Sequence, residues 1–197
     1  MIFKKILFPL FSIFLAFRSY ELVRIIWLFE PSEILVPLKI LLAVLLNLFI
    51  TGIFAFVGFA YNTSQLLPDN YYLIKNPKVL LKISNALKLN YFKKFLLTIY
   101  WGHKKNRKKY FNGVIAGLKD FDLNTRQSEF GHLIPFILIQ VVAVVVITKG
   151  HYQIAGLTTV INIFFNLYPI VLQRNHRMRI YQLRQKQIKK SSTQQWL

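Results

Sequence analysis

Three stretches of this chain are too apolar and too long to be ordinary core segments of a small soluble domain. Residues 34–61 (ILVPLKILLAVLLNLFITGIFAFVGFAY) hold one charge, Lys39, near their start. Residues 133–148 (LIPFILIQVVAVVVIT) and 154–172 (IAGLTTVINIFFNLYPIVL) hold none. A helix crosses the hydrocarbon layer of a bilayer with about 20 residues. The first stretch suffices alone, the third just reaches that length, and the second does so if residues 128–133 add a turn and a half. In lipid a backbone must satisfy its own hydrogen bonds, which favours helices for runs of this kind. The expectation is an all-α integral membrane protein, and 197 residues suit a single membrane domain.

The start of the chain is a fourth candidate. MIFKKILFPLFSIFLAF resembles a signal peptide, but Ala16-Phe17-Arg18-Ser19 offers no small-x-small cleavage site, so an uncleaved anchor is expected. Residues 6–29 then form a span carrying Arg18, Glu21 and Arg24 on one helix face, where the carboxylate can pair with both cations. Charges at membrane depth normally pair or face inward, so this seam is expected to face the bundle rather than to lie flat on the surface.

Charge sets the orientation. The chain has 26 Lys+Arg against 7 Asp+Glu, a formal charge of +19. Thirteen of the basic residues lie in 62–128, including HKKNRKK at 103–109, and seven lie in 173–197, which has no acid. The connection KGHYQI between the last two spans has one lysine. Positive charge marks the cytoplasmic side. Loop 62–128, tail 173–197 and, through Lys4 and Lys5, the N-terminus are placed inside, with the 149–153 turn outside. That requires four crossings, near 6–29, 36–60, 129–148 and 154–172. The basic excess also attracts anionic lipid headgroups. Nothing resembles a groove-reading element, so no nucleic acid is expected. Segment 91–101 (YFKKFLLTIYW) has Phe92, Phe95, Leu96 and Ile99 on one face, with Lys93 and Lys94 beside it, as in an interfacial amphipathic helix.

No glycine-rich phosphate loop, G-x-S-x-G elbow, H-E-x-x-H or H-x4-D motif occurs, and no cysteine. No metal and no cofactor is expected. What chemistry there is must come from polar residues placed in apolar runs. Glu129 and His132 are three apart and share a helix face. Asn124 or Ser128 is expected to cap that helix, with Glu129 in its first turn complementing the dipole. Asn162, Asn166, Pro169 and Gln173 form a second stripe, at i, i+4, i+7 and i+11. Asparagines facing lipid would be unsatisfied, so they are expected to point into the bundle. Arg174, Arg177 and Arg179 follow. If the last two spans pack antiparallel, Glu129, His132, Gln173 and Arg174 share one depth, with Asn166 about 10 Å deeper by helical rise. Each residue alone has a simpler reading as dipole partner, packing residue, topology determinant or interhelical glue. Their coincidence in depth is what points to a site.

Several segments resemble a known family. TRQSEFGH (125–132) is similar to the T-R-R-A-E-x-x-H-W segment of the bacterial glycosyl-diaponeurosporenoate acyltransferases. INIFFNLYPIVLQRNHRMR (161–179) is similar to their I-N-I-F…N…P…Q-R-Y-N-R-x-R segment, and LPDNYY (67–72) to their I-P-D-x-Y-F start. The likeness covers about residues 65–190. Leu133 stands in place of the family's Trp, and Asn175, His176 and Met178 in place of Tyr, Asn and Pro, which implies a divergent branch. Members place a fatty acyl group on the sugar of a glycosylated carotenoid acid, in pigment biosynthesis. The resemblance carries over Glu129, His132, Asn166, Gln173, Arg174, Arg177 and Arg179.

The reading this yields is an acyltransferase that moves a fatty acyl group to a hydroxyl of a glycolipid, glycosylated carotenoid or similar amphiphile. His132 would be the general base and Glu129 its orienting partner. Asn162, Asn166 and Gln173 would bind the acceptor or a developing oxyanion, and Arg174, Arg177 and Arg179 an anionic group of a substrate. The alternative is a non-catalytic multi-pass protein acting as an assembly, lipid-binding or interaction subunit.

Overall fold

The computed structural model describes residues 2–99 and 117–194. The basic cluster at 103–109, Trp101 and the last three residues lie outside them. Eight α-helices are described: α1 (Ile2–Leu28), α2 (Val36–Ala60), α3 (Asp69–Tyr72), α4 (Pro77–Ala86), α5 (Leu89–Ile99), α6 (Leu118–Ile147), α7 (Tyr152–Asn162) and α8 (Tyr168–Gln194). A π-helical turn, Ile163–Leu167, joins α7 to α8. Among the described residues, four helical stretches are long and apolar enough to cross a membrane: Phe3–Leu28, Val36–Ala60, Leu118–Ile147 and Tyr152–Lys186. The chain is an all-α multi-pass membrane protein.

It divides into two compact units, one of residues 1–63 and 130–170, the other of 64–129 and 171–197. Two of the boundaries fall inside long helices, α6 and α8.

The first unit is built on close approach of α1 to α2. Gly52 allows it: a Cβ there would stand 2.7 Å from Leu15 Cδ1. One turn away, the Ser12 hydroxyl donates to the Ile53 carbonyl at 3.0 Å. Phe8, Phe11, Phe56 and Phe59 pack as offset and edge-on rings at one end of the pair. At the other end Leu22, Ile26, Leu42 and Leu46 meet Val146, Ile154 and Ala155 in an apolar core. Asn47 is buried and donates to the Thr158 carbonyl of α7 at 3.1 Å, so one amide ties α2 to α7. Small residues and single amides of this kind are how helices associate without a hydrophobic driving force.

The charged seam of α1 takes a different position from the one its sequence implies. Arg18 pairs with Glu21, but Arg18 and Arg24 are exposed. The inward stripe is Ser12, Ser19, Leu22 and Ile26, because Gly52 selects the small-residue face of α1 for the contact.

In the second unit, Asn76 caps α4 by accepting from Val79 N, with Pro77 in the first turn. The turn into α5 passes through Lys88 at φ 49°. On α5, Phe92 is buried while Tyr91, Phe95 and Ile99 are exposed among lysines, as an interfacial helix requires. Asn175 of α8 donates to Ser84 of α4 at 2.7 Å, and the Phe121 and His176 rings lie 5.5 Å apart.

Two boundaries differ from those expected. The helix that carries the third span begins at Leu118, not near residue 128. Asp120 supplies the first-turn acid, and an Asp122–Arg126 pair one turn apart supports the extra turns. Asn124 and Ser128 are therefore interior positions rather than caps. The segment after residue 172 is helical to Gln194, since beyond Pro169 it holds no proline or glycine to stop it.

Candidate functional site

Glu129 lies in the second unit with none of its surface exposed. An isolated carboxylate could not stay ionised there, and three groups compensate it. Oε1 accepts from Tyr71 Oη at 2.9 Å and from Arg174 Nε at 2.9 Å. Oε2 is paired with Arg177 Nη2. Arg177 is 5% exposed and fully committed, its Nε on the Tyr72 carbonyl at 3.3 Å and its Nη1 on Thr125 Oγ1 at 3.5 Å. Arg174 is only half-buried, and besides Glu129 it is hydrogen-bonded to the Tyr71 side chain. One carboxylate with two guanidiniums leaves a unit of positive charge, and Arg174 presents it.

Short helix α3 delivers both tyrosines. Pro68 breaks the preceding chain, and Asp69, at the start of α3, is paired with Arg126, which is itself held by Asp122. The Tyr71 ring lies 5.0 Å from the Arg174 guanidinium; the Tyr72 ring lies 5.0 Å from Arg126 and 5.2 Å from Arg177. Those stacks orient the arginines. Tyr72 Oη is buried without a partner among the described residues. Burial, with the Glu129 carboxylate adding to it, pushes the Tyr72 phenol up to about 12, and Tyr71 is raised by the same causes. A phenol that ionises later in the folded state costs stability only above its unfolded value of about 10. Stability held below pH 10 should therefore fall between pH 10 and about 12. Ultraviolet tyrosinate titration should show Tyr72→Phe removing the latest-ionising phenol; an unchanged high-pH limb would contradict this environment.

His132 lies in the first unit, and its partner there is an amide. Asn162 Nδ2 donates to the Phe136 carbonyl at 2.9 Å. That fixes Asn162 Oδ1 as the acceptor for Asn166 Nδ2, also at 2.9 Å. Asn166 Oδ1 then lies 3.0 Å from His132 Nδ1, with Thr51 Oγ1 accepting from Asn166 Nδ2 at 3.0 Å. Because a carbonyl only accepts, the ladder has one direction, and it places the proton of a neutral imidazole on Nδ1. Nε2 is left as the basic nitrogen. Pro169 has no N–H to serve the Phe165 carbonyl one turn back, and that carbonyl is a second acceptor beside the ring. The π turn Ile163–Leu167 falls at this place.

The partner of His132 is Asn166 and not Glu129, whose oxygens are occupied by Tyr71 and two arginines. Gln173 donates to Ser128 Oγ at 3.0 Å. Arg179 is exposed and joins no ion pair among the described residues. Tyr71, Tyr72, Thr125 and Thr51 are members that spacing alone missed. The Pro-Asp-x-Tyr-Tyr segment was a signal for the tyrosines; nothing in spacing marks the threonines. No cluster of metal-binding side chains occurs among the described residues.

The sequence model of the glycosyl-4,4'-diaponeurosporenoate acyltransferases matches residues 68–186, more than half of the chain. The chain belongs to that family. No curated protein and no solved structure matches it. The matched segment of this acyltransferase-family chain contains Tyr71, Glu129, His132, Asn162, Asn166, Arg174 and Arg177, so both polar clusters are largely within it.

Proposed function

We propose that the protein transfers a fatty acyl group from an activated donor to a hydroxyl of a glycosylated carotenoid or a related glycolipid. The observation that carries this is the one-way ladder that leaves His132 Nε2 as a base inside a family-matched segment. Nε2 takes the proton of the acceptor hydroxyl as its oxygen attacks the acyl carbonyl. The new C–O bond forms, the bond to the donor's leaving group breaks, and the imidazolium returns its proton to that group. Asn166 holds the ring, and the Nδ1–H–Oδ1 contact strengthens as the ring becomes charged. Separately, the Nη groups of Arg174 suit a phosphate or carboxylate on the donor. Arg177 is the pin that keeps the Glu129 carboxylate in place.

Lipid profiling of a strain lacking the gene should show one acylated glycolipid class lost and its unacylated precursor accumulated, restored by the wild-type chain. An unchanged profile in a strain that normally expresses the protein would sink the reading. The orientation we infer, with both termini on the cytoplasmic side of a bacterial inner membrane, follows from the basic loop and α8. The chain has no cysteine, so Lys149→Cys gives a single label site. Intact cells should expose it to a membrane-impermeant maleimide, and protection until lysis would reverse the topology.

A further inference from the structure

The first unit has a second polar feature, which acyl transfer does not use. A cavity of about 440 Å³ lies where the start of α2 and the turn before α7 meet, large enough for a small ligand or lipid headgroup. Its walls include Ser32, Lys39, Gly150, His151 and Gln153. Gly150 makes the turn at φ 80°, a conformation that a side chain would strain.

His151 is 2% exposed, and its Nε2 lies 3.1 Å from the Phe29 carbonyl. A carbonyl only accepts, so Nε2 carries the proton and Nδ1 of the neutral ring is a bare acceptor. That Nδ1 is buried and has no partner among the described residues. Such an atom in a native site calls for a ligand or a water. Across the cavity, Lys39 Nζ donates to Gln153 Oε1 at 2.9 Å and has no carboxylate partner among the described residues. Its other two N–H bonds remain, as does the Gln153 amide NH2. The first turn of α7 has no side-chain cap, and the N–H groups of Gln153 and Ile154 find no carbonyl among the described residues. Uncapped helix starts with a lysine favour an anion. No carboxylate lines the cavity, and the nearby Glu33 is turned back onto Glu30 N at 2.7 Å.

We propose that this cavity binds a phosphate ester bearing a free hydroxyl, of the glycerophosphate type. Lys39, the Gln153 amide and the uncapped N–H groups hold the phosphate oxygens. The hydroxyl donates to His151 Nδ1. The same chemistry is offered by a phosphatidylglycerol headgroup and by soluble glycerol phosphate.

The test uses the full chain in neutral detergent, with binding read by native mass spectrometry. Phosphatidylglycerol should bind saturably and at least about ten-fold tighter than phosphatidylcholine. Phosphatidylethanol, which keeps the diester phosphate but lacks headgroup hydroxyls, should bind several-fold weaker than phosphatidylglycerol. Lys39→Gln should erase the preference, and so should Gln153→Glu, which sets a carboxylate against Lys39. Lys149→Gln, whose ammonium stacks on Trp27, should leave it intact. Displacement by glycerol 3-phosphate supports a soluble ester as occupant; saturable lipid binding that glycerol 3-phosphate cannot displace supports the lipid. Equal binding of phosphatidylcholine, or a preference that survives both Lys39→Gln and Gln153→Glu, overturns the anion site. Equal binding of phosphatidylethanol overturns the role of His151.

Discussion

Glu129→Gln should lower the melting temperature of the detergent-solubilised protein by roughly 10 °C, because Arg177 would remain buried without its charge partner. Removing one member of a buried pair costs about 3–5 kcal/mol, which in a chain of this size corresponds to a shift of that order. The loss should not require that the carboxylate do chemistry. In the double variant Glu129→Leu, Arg177→Met the fully buried pair is gone and only the half-buried Arg174 loses a partner, and apolar replacements of buried pairs are often neutral or stabilising. That variant should recover most of the melting temperature. Acyl transfer should stay low in it, since Arg174 would lose the Oε1 contact that aims its guanidinium. A single variant that melts within a degree or two of the parent would remove Glu129 and Arg177 from the framework of the second unit. Full activity in the double variant would show that the ion pair positions nothing needed for turnover.

His132→Ala should leave the melting temperature nearly unchanged, since Asn166 keeps its bonds to Asn162 and Thr51. Turnover with a fixed acyl donor should fall by about 10²–10⁴, the usual contribution of a positioned general base. Asn166→Ala should give a smaller loss of turnover together with a measurable loss of stability, because it removes both the ring's acceptor and a rung of the ladder. Its activity loss should be partly recovered by raising pH if an unrestrained imidazole still serves. Retained activity in His132→Ala would favour the alternative in which the amide ladder only holds helices together.

How far these features could be read from the chain depended on what kind of information each required. The membrane spans were legible because length and apolarity are local. Asn162 and Asn166 were legible because a stripe of amides in an apolar run is costly anywhere but inside a helix bundle. The start of α6 was not, since 118–128 is polar and its helicity rests on Asp120, the Asp122–Arg126 pair and packing of Phe121 on His176. Glu129 was visible as an unusual group at the edge of a greasy segment, but its partner was misassigned. A helix neighbour three residues away is always near, whereas Tyr71, Arg174 and Arg177 are brought to it by the fold. Tyr72 acts through its ring and its backbone carbonyl, and spacing rules carry no sign of either.

The amide ladder has a consequence for biogenesis. Every group from Phe136 through Asn162 and Asn166 to His132 can enter the bilayer without net charge. An aspartate in the place of Asn166 would orient the imidazole as well, yet an acidic residue at the centre of an inserting helix costs about 2.5–3.5 kcal/mol at the translocon. By taking its polarity from a main-chain carbonyl, the ring acquires a defined tautomer that no side-chain ionisation has to maintain. The last span can therefore be recognised and inserted as an ordinary apolar helix before any of its partners is in place.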